Sequence, residues 1–344
     1  MGHSLASNTL GQCGLLLLCV PIIAWIYIFH SQFRHMTAHQ QRDQLAKPKT
    51  YRLHVLLVRT ALFLPFYAIF IFISLMEPSY FEGLQPLFAV VEGYSFYCMF
   101  AMIVANLGGP SAAVKMMQTH PEELPCCSWC PQSPPVFYNR VVSGLKYFLF
   151  LRVPCIIIGT VTYYAGMKVI NVVMTLVTLG LLINGLVGIV TFYENVMHVG
   201  LSHFSKVISL KISIGLIVFQ GIIEMFMELG GVFDGLVANP GYSAENTLTR
   251  YYCFLILVEY VFFSAAVANF FSGDINYLGF ADPQQSSSSI DLAASDTLSP
   301  LEFMGDVLAV HDVFTTYSVS ISDAESRALN DSGPGSRSIE LFGL

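Results

Sequence analysis

Read for runs of apolar residues, the chain separates into seven long hydrophobic stretches. Each is close to the roughly 20 residues that a helix needs to cross a hydrocarbon layer about 30 Å thick. They run from about Leu10 to Phe29, His54 to Leu75, Leu84 to Leu107, Val141 to Tyr164, Ile170 to Phe192, Val207 to Leu229 and Tyr251 to Phe271. A Pro- and Cys-rich stretch parts the third from the fourth, and the other connections are short. From Gln284, Gln285 and the serines Ser286 to Ser289 onward, the pattern changes to polar and acidic with interspersed Gly and Pro. The pattern predicts an all-α fold. Residues 1–280 form a seven-helix transmembrane bundle, and residues 281–344 form a largely disordered tail with a short helix near Pro300 to Val313.

Composition sharpens this picture. Of 344 residues, 54% are hydrophobic and only 11% charged, against about 25% charged in an average soluble domain, which excludes a water-soluble globule. Through Phe280 the chain holds 14 Lys plus Arg and 13 Asp plus Glu, whereas Ala281 to Leu344 holds 2 and 10, so the net charge of −7 belongs to the tail. No basic surface is dense enough to follow a phosphate backbone, and nucleic acid is not expected as a partner. Orientation follows from Lys and Arg, because cytoplasmic loops retain positive charge. The first loop carries Arg34, Arg42, Lys47, Lys49 and Arg52, the third Lys115 and Arg140, and the fifth is bounded by Lys206 and Lys211. The alternate loops offer Glu77, Glu82, Asp234 and Glu245, with only Lys168 and Arg250 near their edges. The expected topology has the N-terminus outside and the C-terminus cytoplasmic. The first apolar run is longer than a signal-peptide core and precedes its basic cluster, so it reads as a retained span.

Ionised side chains inside a bilayer cost several kcal/mol on insertion scales and call for a partner, water or a route to the interface. Arg59, Glu92, Lys146, Arg152, Glu224, Glu228 and Glu259 fall within the predicted spans. At about 1.5 Å per residue, Lys146 reaches the cytoplasmic interface, Arg59 lies deeper and Arg152 falls near the midplane. Glu92, Glu224 and Glu259 lie in the outer half or near the middle. Pro154, close after Arg152, removes a backbone donor there. Two readings of Arg152 stand side by side: a cation that holds an anionic ligand, or one half of an ion pair with a glutamate that fixes helix packing. Gln220 and Asn184 suit interhelical hydrogen bonds as well as a solute path.

In the third loop stand Pro125, Cys126, Cys127, Ser128, Trp129, Cys130 and Pro131. Zinc needs four ligands and only His120 is near to complete the set, so no metal is expected. Juxtamembrane cysteines on a cytoplasmic face are S-acylation candidates, and Cys126, Cys127 and Cys130 are read that way. No HExxH, GxSxG or Walker A sequence occurs, so neither an enzyme nor a cofactor is expected. A retinal pump needs a lysine in the last span, and Tyr251 to Phe271 has none.

The third span and the loop after it carry a resemblance. Val91, Glu92, Gly93, Tyr94, Ser95, Phe96 and Tyr97 are followed by Ala105, Asn106, Leu107, Gly108 and Gly109, then Ala112, Ala113 and the cysteines. This stretch resembles the organic solute transporter alpha-subunit family. There a carboxylate-bearing third span leads into a Gly-Gly turn and a cysteine-rich cytoplasmic loop, in a seven-span chain with its N-terminus outside. Lys211 followed by Phe219 and Gln220 resembles the entry to the family's sixth span, and Glu259 occupies the place of an acidic residue in its last. The resemblance implies facilitated, ATP-independent movement of amphipathic organic solutes such as steroid conjugates or bile-acid-like anions. It also implies a single-span beta-type subunit as partner; the bilayer and a homo-oligomer are further expected partners, and the expected setting is the plasma membrane, as a multi-pass protein, with endosomal or ER pools. The substrate path is then expected to include Arg59, Glu92, Arg152, Gln220 and Glu259.

Two other functions compete. A trafficking or scaffold protein would act through the tail, where Tyr277-Leu278-Gly279-Phe280 fits a sorting signal and Phe342-Gly343-Leu344 a PDZ ligand. A seven-span receptor is disfavoured because neither Asp-Arg-Tyr nor Asn-Pro-x-x-Tyr stands at the end of its span.

Overall fold

Inside hydrocarbon a backbone has no water to bond, so an apolar run that crosses it closes its hydrogen bonds within itself as a helix. The computed structural model describes residues 2–43, 50–119, 134–197, 244–273 and 299–309, and no strand occurs among them. The described helices are α1 (Gly2–Asp43), α2 (Tyr51–Thr60), α3 (Phe63–Met76), α4 (Phe81–Asn106), α5 (Pro110–Thr119), α6 (Pro134–Tyr164), α7 (Lys168–Met197), α8 (Ala244–Phe271) and α9 (Pro300–Leu308), with a 3-10 turn at Pro78–Tyr80. Among the described residues, six stretches are long and apolar enough to span a membrane: Thr9–Gln41, Tyr51–Met76, Pro78–Asn106, Pro134–Tyr164, Val169–Tyr193 and Asn246–Phe271. They coincide with six of the seven expected spans. The remaining one, Val207 to Leu229, lies outside the described residues.

Proline and glycine explain the local departures from straight helices. Pro65 has no N–H to give to Ala61, so the second span breaks there into α2 and α3, and the Ala61 carbonyl accepts from Leu64 instead, at 3.1 Å. Pro154 leaves α6 continuous from Pro134 to Tyr164, as neighbouring helices in a bundle allow. At the end of α4, Gly109 donates to the Val104 carbonyl (2.9 Å) and Gly108 to Ala105 (3.1 Å), the paired bonds of a Schellman ending. Both glycines hold positive φ, 92° and 107°, where a side chain would strain the backbone. Pro110 then starts α5 at the position where a missing N–H costs nothing. The Gly-Gly pair is thus a chain reversal from the third span into an amphipathic helix, with Ala113, Val114 and Met117 buried and Ser111, Lys115 and Gln118 exposed.

Contacts between the helices define two ends. At one, called here the basic end, the second half of α1 meets the end of α8 and the start of α2, the last two turns of α4 meet the start of α6, and α5 and α9 pack nearby. There Ser31, Gln32 and His35 of α1 all bond to the backbone at the end of α8. At the other end, Arg250 at the start of α8 donates from Nε to the Leu75 carbonyl at 3.1 Å, capping α3, and Tyr164 at the end of α6 donates to Ser79 at 2.9 Å. The bundle is unevenly buried. The most apolar window of the α4 span is 78% buried and that of α2–α3 is 67%, whereas α6 and α7 reach 22% and 18%. α4 is therefore the central post, and α6 with α7 form a rim that presents Phe150, Leu151, Val161, Leu176 and Val187 outward. Close approach of the rim depends on small residues: a Cβ on Gly93 would lie 2.5 Å from Leu149 Cδ1, and one on Gly185 would lie 3.2 Å from Phe148.

Candidate functional site

α4 carries Glu92 and α6 carries Arg152, and the packing of these two helices brings the side chains together. Arg152 Nη1 donates to Glu92 Oε2 in a short ion pair, with side-chain exposures of 12% and 5%. The other carboxylate oxygen accepts from the Tyr67 hydroxyl of α3 at 2.7 Å. The guanidinium lies over the Phe148 ring, 5.0 Å from its centroid, a cation–π contact that partly replaces lost hydration. Tyr67 stacks on Tyr260 of α8, with centroids 5.5 Å apart and planes 8° from parallel. Phe88 closes the other flank at 4.5 Å. Side chains of α3 and α6 thus meet the α4 carboxylate directly, and α8 backs the tyrosine that does so.

The site has more donors than its carboxylate uses. Arg152 Nε, Tyr260 Oη and Ser95 Oγ, one helical turn from Glu92, are buried with no hydrogen-bond partner. Buried polar atoms are rarely left so, and the unbonded Nε of Arg152 complements an acceptor-rich, anionic group. The expected ion pair is therefore present, and the same guanidinium retains an unused edge of Nε and Nη2, the edge that takes a carboxylate or sulfate through two parallel bonds.

Arg59 goes elsewhere. It is 2% exposed, and its guanidinium addresses the end of α9: Nε donates to the Val307 carbonyl at 3.1 Å, and Nη2 to those of Ala309 and Asp306. Arg59 and Arg152 do not share a site. Glu259 is half-buried on α8, one residue before Tyr260. Gln220 and the cysteines Cys126, Cys127 and Cys130 lie outside the described residues.

Sequence reasoning did not single out Tyr67 or Tyr260, and met Ser95 only as a member of the third-span motif. A tyrosine in a span is an ordinary core or interface residue, and nothing local marks one that will meet a carboxylate 25 residues away. A second polar cluster was also missed. Gln32 Nε2 donates to the carbonyls of Phe271 (2.6 Å) and Gly273 (3.0 Å), and its Oε1 accepts from His54 Nδ1 at 2.7 Å. The signal was available in the spacing of Ser31, Gln32, His35 and His39 along one face of α1.

These helices, with an ion pair at their centre, define a polytopic helical membrane protein. The family model described as Organic solute transporter Ostalpha matches residues 13–275, well over half of the chain, and the chain belongs to that family. It is accordingly a membrane protein of the transporter type, in a family of transporters rather than enzymes. No curated protein and no solved structure matches it.

Proposed function

We propose that this protein moves amphipathic organic anions, of the steroid-conjugate or bile-acid-like kind, across the membrane by facilitated, ATP-independent exchange. The observation that carries the reading is the guanidinium of Arg152, held inside a helical bundle by Glu92 and Phe148 with Nε unbonded. An amphipathic anion needs an apolar wall for its body and a few fixed donors for its head. Phe88, Phe148, Tyr67 and Tyr260 supply aromatic surface beside the pair. Glu92 neutralises Arg152 between substrates, so an arriving carboxylate or sulfate exchanges for part of that pairing. The cation need not be bare at any stage.

The orientation that fits this role has the N-terminus outside and the basic end in the cytoplasm, supported by Arg34, Arg52, Lys115 and Arg140 on elements of that end. Seven spans are supported by the apolar run Val207 to Leu229 and by its flanks: α7 runs toward the basic end, whereas α8 begins at the opposite one. Cys126, Cys127 and Cys130 follow α5, an element of the basic end, which suits S-acylation on the cytoplasmic leaflet. The setting is the plasma membrane with endosomal or ER pools, and the partners are a single-span beta-type subunit and further copies of the chain.

The test is uptake of a radiolabelled steroid sulfate into cells or oocytes expressing the chain alone and with a candidate beta subunit, normalised by surface biotinylation. Saturable flux in both directions, insensitive to ATP depletion and lost in Arg152→Gln, is the expected result. Surface-expressed protein with no flux for any of several sterol conjugates would end the carrier reading.

A further inference from the structure

The tail contributes an element to the membrane domain. α9 begins with a complete capping box, in which Ser299 Oγ accepts from the Glu302 N–H (3.2 Å) and the Glu302 carboxylate accepts from the Ser299 N–H (3.1 Å), with Pro300 in the first turn. Its apolar face, Phe303 and Val307, is fully buried. Phe303 sits in a cleft between α1 and α2, its ring centroid 5.3 Å from Phe29, 5.8 Å from Phe33 and 6.0 Å from Tyr51. Tyr51 also donates to the Asp306 carboxylate, and Arg59 binds the final carbonyls. A nine-residue helix is too short to persist alone in water, so α9 owes its helical form to this docking.

We propose that residues 299–309 are a detachable latch that occupies Arg59 and holds the basic end of the protein in an inhibited state. The inhibitory part rests on the carrier reading above, and the latch itself does not. Three features of the contact point to a reversible occupant rather than a fixed strut. The first is chemical: the carbonyls at a helix C-terminus carry partial negative charge, so α9 presents to Arg59 what a carboxylate or sulfate would present. Occupied in this way, the arginine is unavailable to a mobile anion. The second is connectivity. Residues 274–298 join α8 to α9 and include Gln284, Gln285 and Ser286 to Ser289; at about 3.3–3.6 Å per residue they reach roughly 80 Å when extended, so the latch can leave without disturbing α8. The third is economy of contact. Phe303 and Val307 are the only buried side chains of α9, few enough for the ordering cost of the segment to keep docked and released states close in free energy. Release withdraws three carbonyls from Arg59 and uncovers the apolar cleft that Phe303 fills.

Arginine-directed labelling of the purified full-length chain tests the latch directly. With phenylglyoxal and mass spectrometric readout, Arg59 is expected to react at least tenfold faster in Phe303→Ala/Val307→Ala than in the wild type, while Arg152 keeps its rate as the internal standard. Equal rates at Arg59 would overturn the proposal. Hydrogen exchange on the wild type needs no variant: amides of 304–308 should exchange more slowly than an unstructured chain and faster than those of α4. Coil-like exchange would show no docked latch, and exchange only on global unfolding would show a fixed element. In cells the same double variant should carry severalfold more steroid sulfate per surface molecule; equal or lower flux removes the inhibitory role. If neither form carries flux while Arg59 becomes reactive in the variant, the latch stands and the carrier reading falls.

Discussion

Arg152 and Arg59 are both arginines placed inside predicted spans, yet the protein resolves their charge in opposite ways. Arg152 meets a carboxylate from a neighbouring helix, in a site built by α3, α4, α6 and α8 within the bundle. Arg59 meets backbone carbonyls, from a helix about 250 residues later and outside the spans. The first arrangement is full ion pairing, with both partners fixed by helix packing. The second is ion–dipole contact with a tethered segment. Removing one side of the first leaves a buried charge, whereas removing one side of the second leaves a cation near an interface with water within reach. The two regions should therefore differ sharply in what their loss costs.

The largest effect is expected at Glu92. Glu92→Ala strands Arg152 and should lower the stability of the purified protein by about 3–5 kcal/mol, read as the midpoint of thermal unfolding in detergent, while Glu92→Leu/Arg152→Met recovers most of it. A single variant that melts like the wild type would put Arg152 on the same footing as Arg59. Next comes Gly93→Val, which brings a side chain against Leu149 where a Cβ alone would lie only 2.5 Å from Cδ1; overpacking of that kind costs about 1–3 kcal/mol and should loosen the α4–α6 contact that makes the pair, measurable as a lower melting midpoint with faster exchange in both helices. Tyr67→Phe deletes one hydrogen bond to Glu92 and keeps the stack on Tyr260, so a loss of about 0.5–1.5 kcal/mol is expected by the same melting assay. The smallest global effect belongs to the tail. Ser299→Ala removes the cap of α9, worth about 0.5–2 kcal/mol locally; it should speed exchange of 300–308 and leave the melting midpoint of the bundle in place. A lowered midpoint together with the faster exchange would mean that the tail helix is part of the bundle's cooperative core.

The sequence made the helical frame legible because a bilayer imposes one strong rule, length and apolarity, and six stretches obey it where expected. It also made half of each arginine's fate legible. That Arg152 would seek a glutamate followed from the cost of a bare charge in hydrocarbon, and Glu92 was among the candidates. Arg59 was grouped with it on depth alone. Nothing in its surroundings, Val58 or Thr60, announces partners that are backbone carbonyls, because carbonyls have no sequence signature. The tail did carry a signal, Ser299-Pro300 followed by Glu302 and the i, i+4 pair Phe303 and Val307, but a docking face does not reveal its dock. The Tyr67–Tyr260 stack was hidden for a related reason. Aromatic residues are frequent in every span, and which two meet depends on how α3 and α8 are rotated.

The clamp between Gln32 and the end of α8 has a meaning for biogenesis. Gln32 leaves the ribosome early, and the carbonyls its amide donates to, those of Phe271 and Gly273, follow about 240 residues later. At roughly 5–20 residues per second, the rate of synthesis puts about 12–50 s between them. Throughout that interval the Gln32 side-chain carbonyl oxygen can already meet His54, made 22 residues later, but the amide N–H groups lack their final acceptors and need water, the insertion machinery or lipid headgroups. α8 then delivers two carbonyls to a waiting amide, so the first helix reaches its final pairing only once the end of α8 has been made.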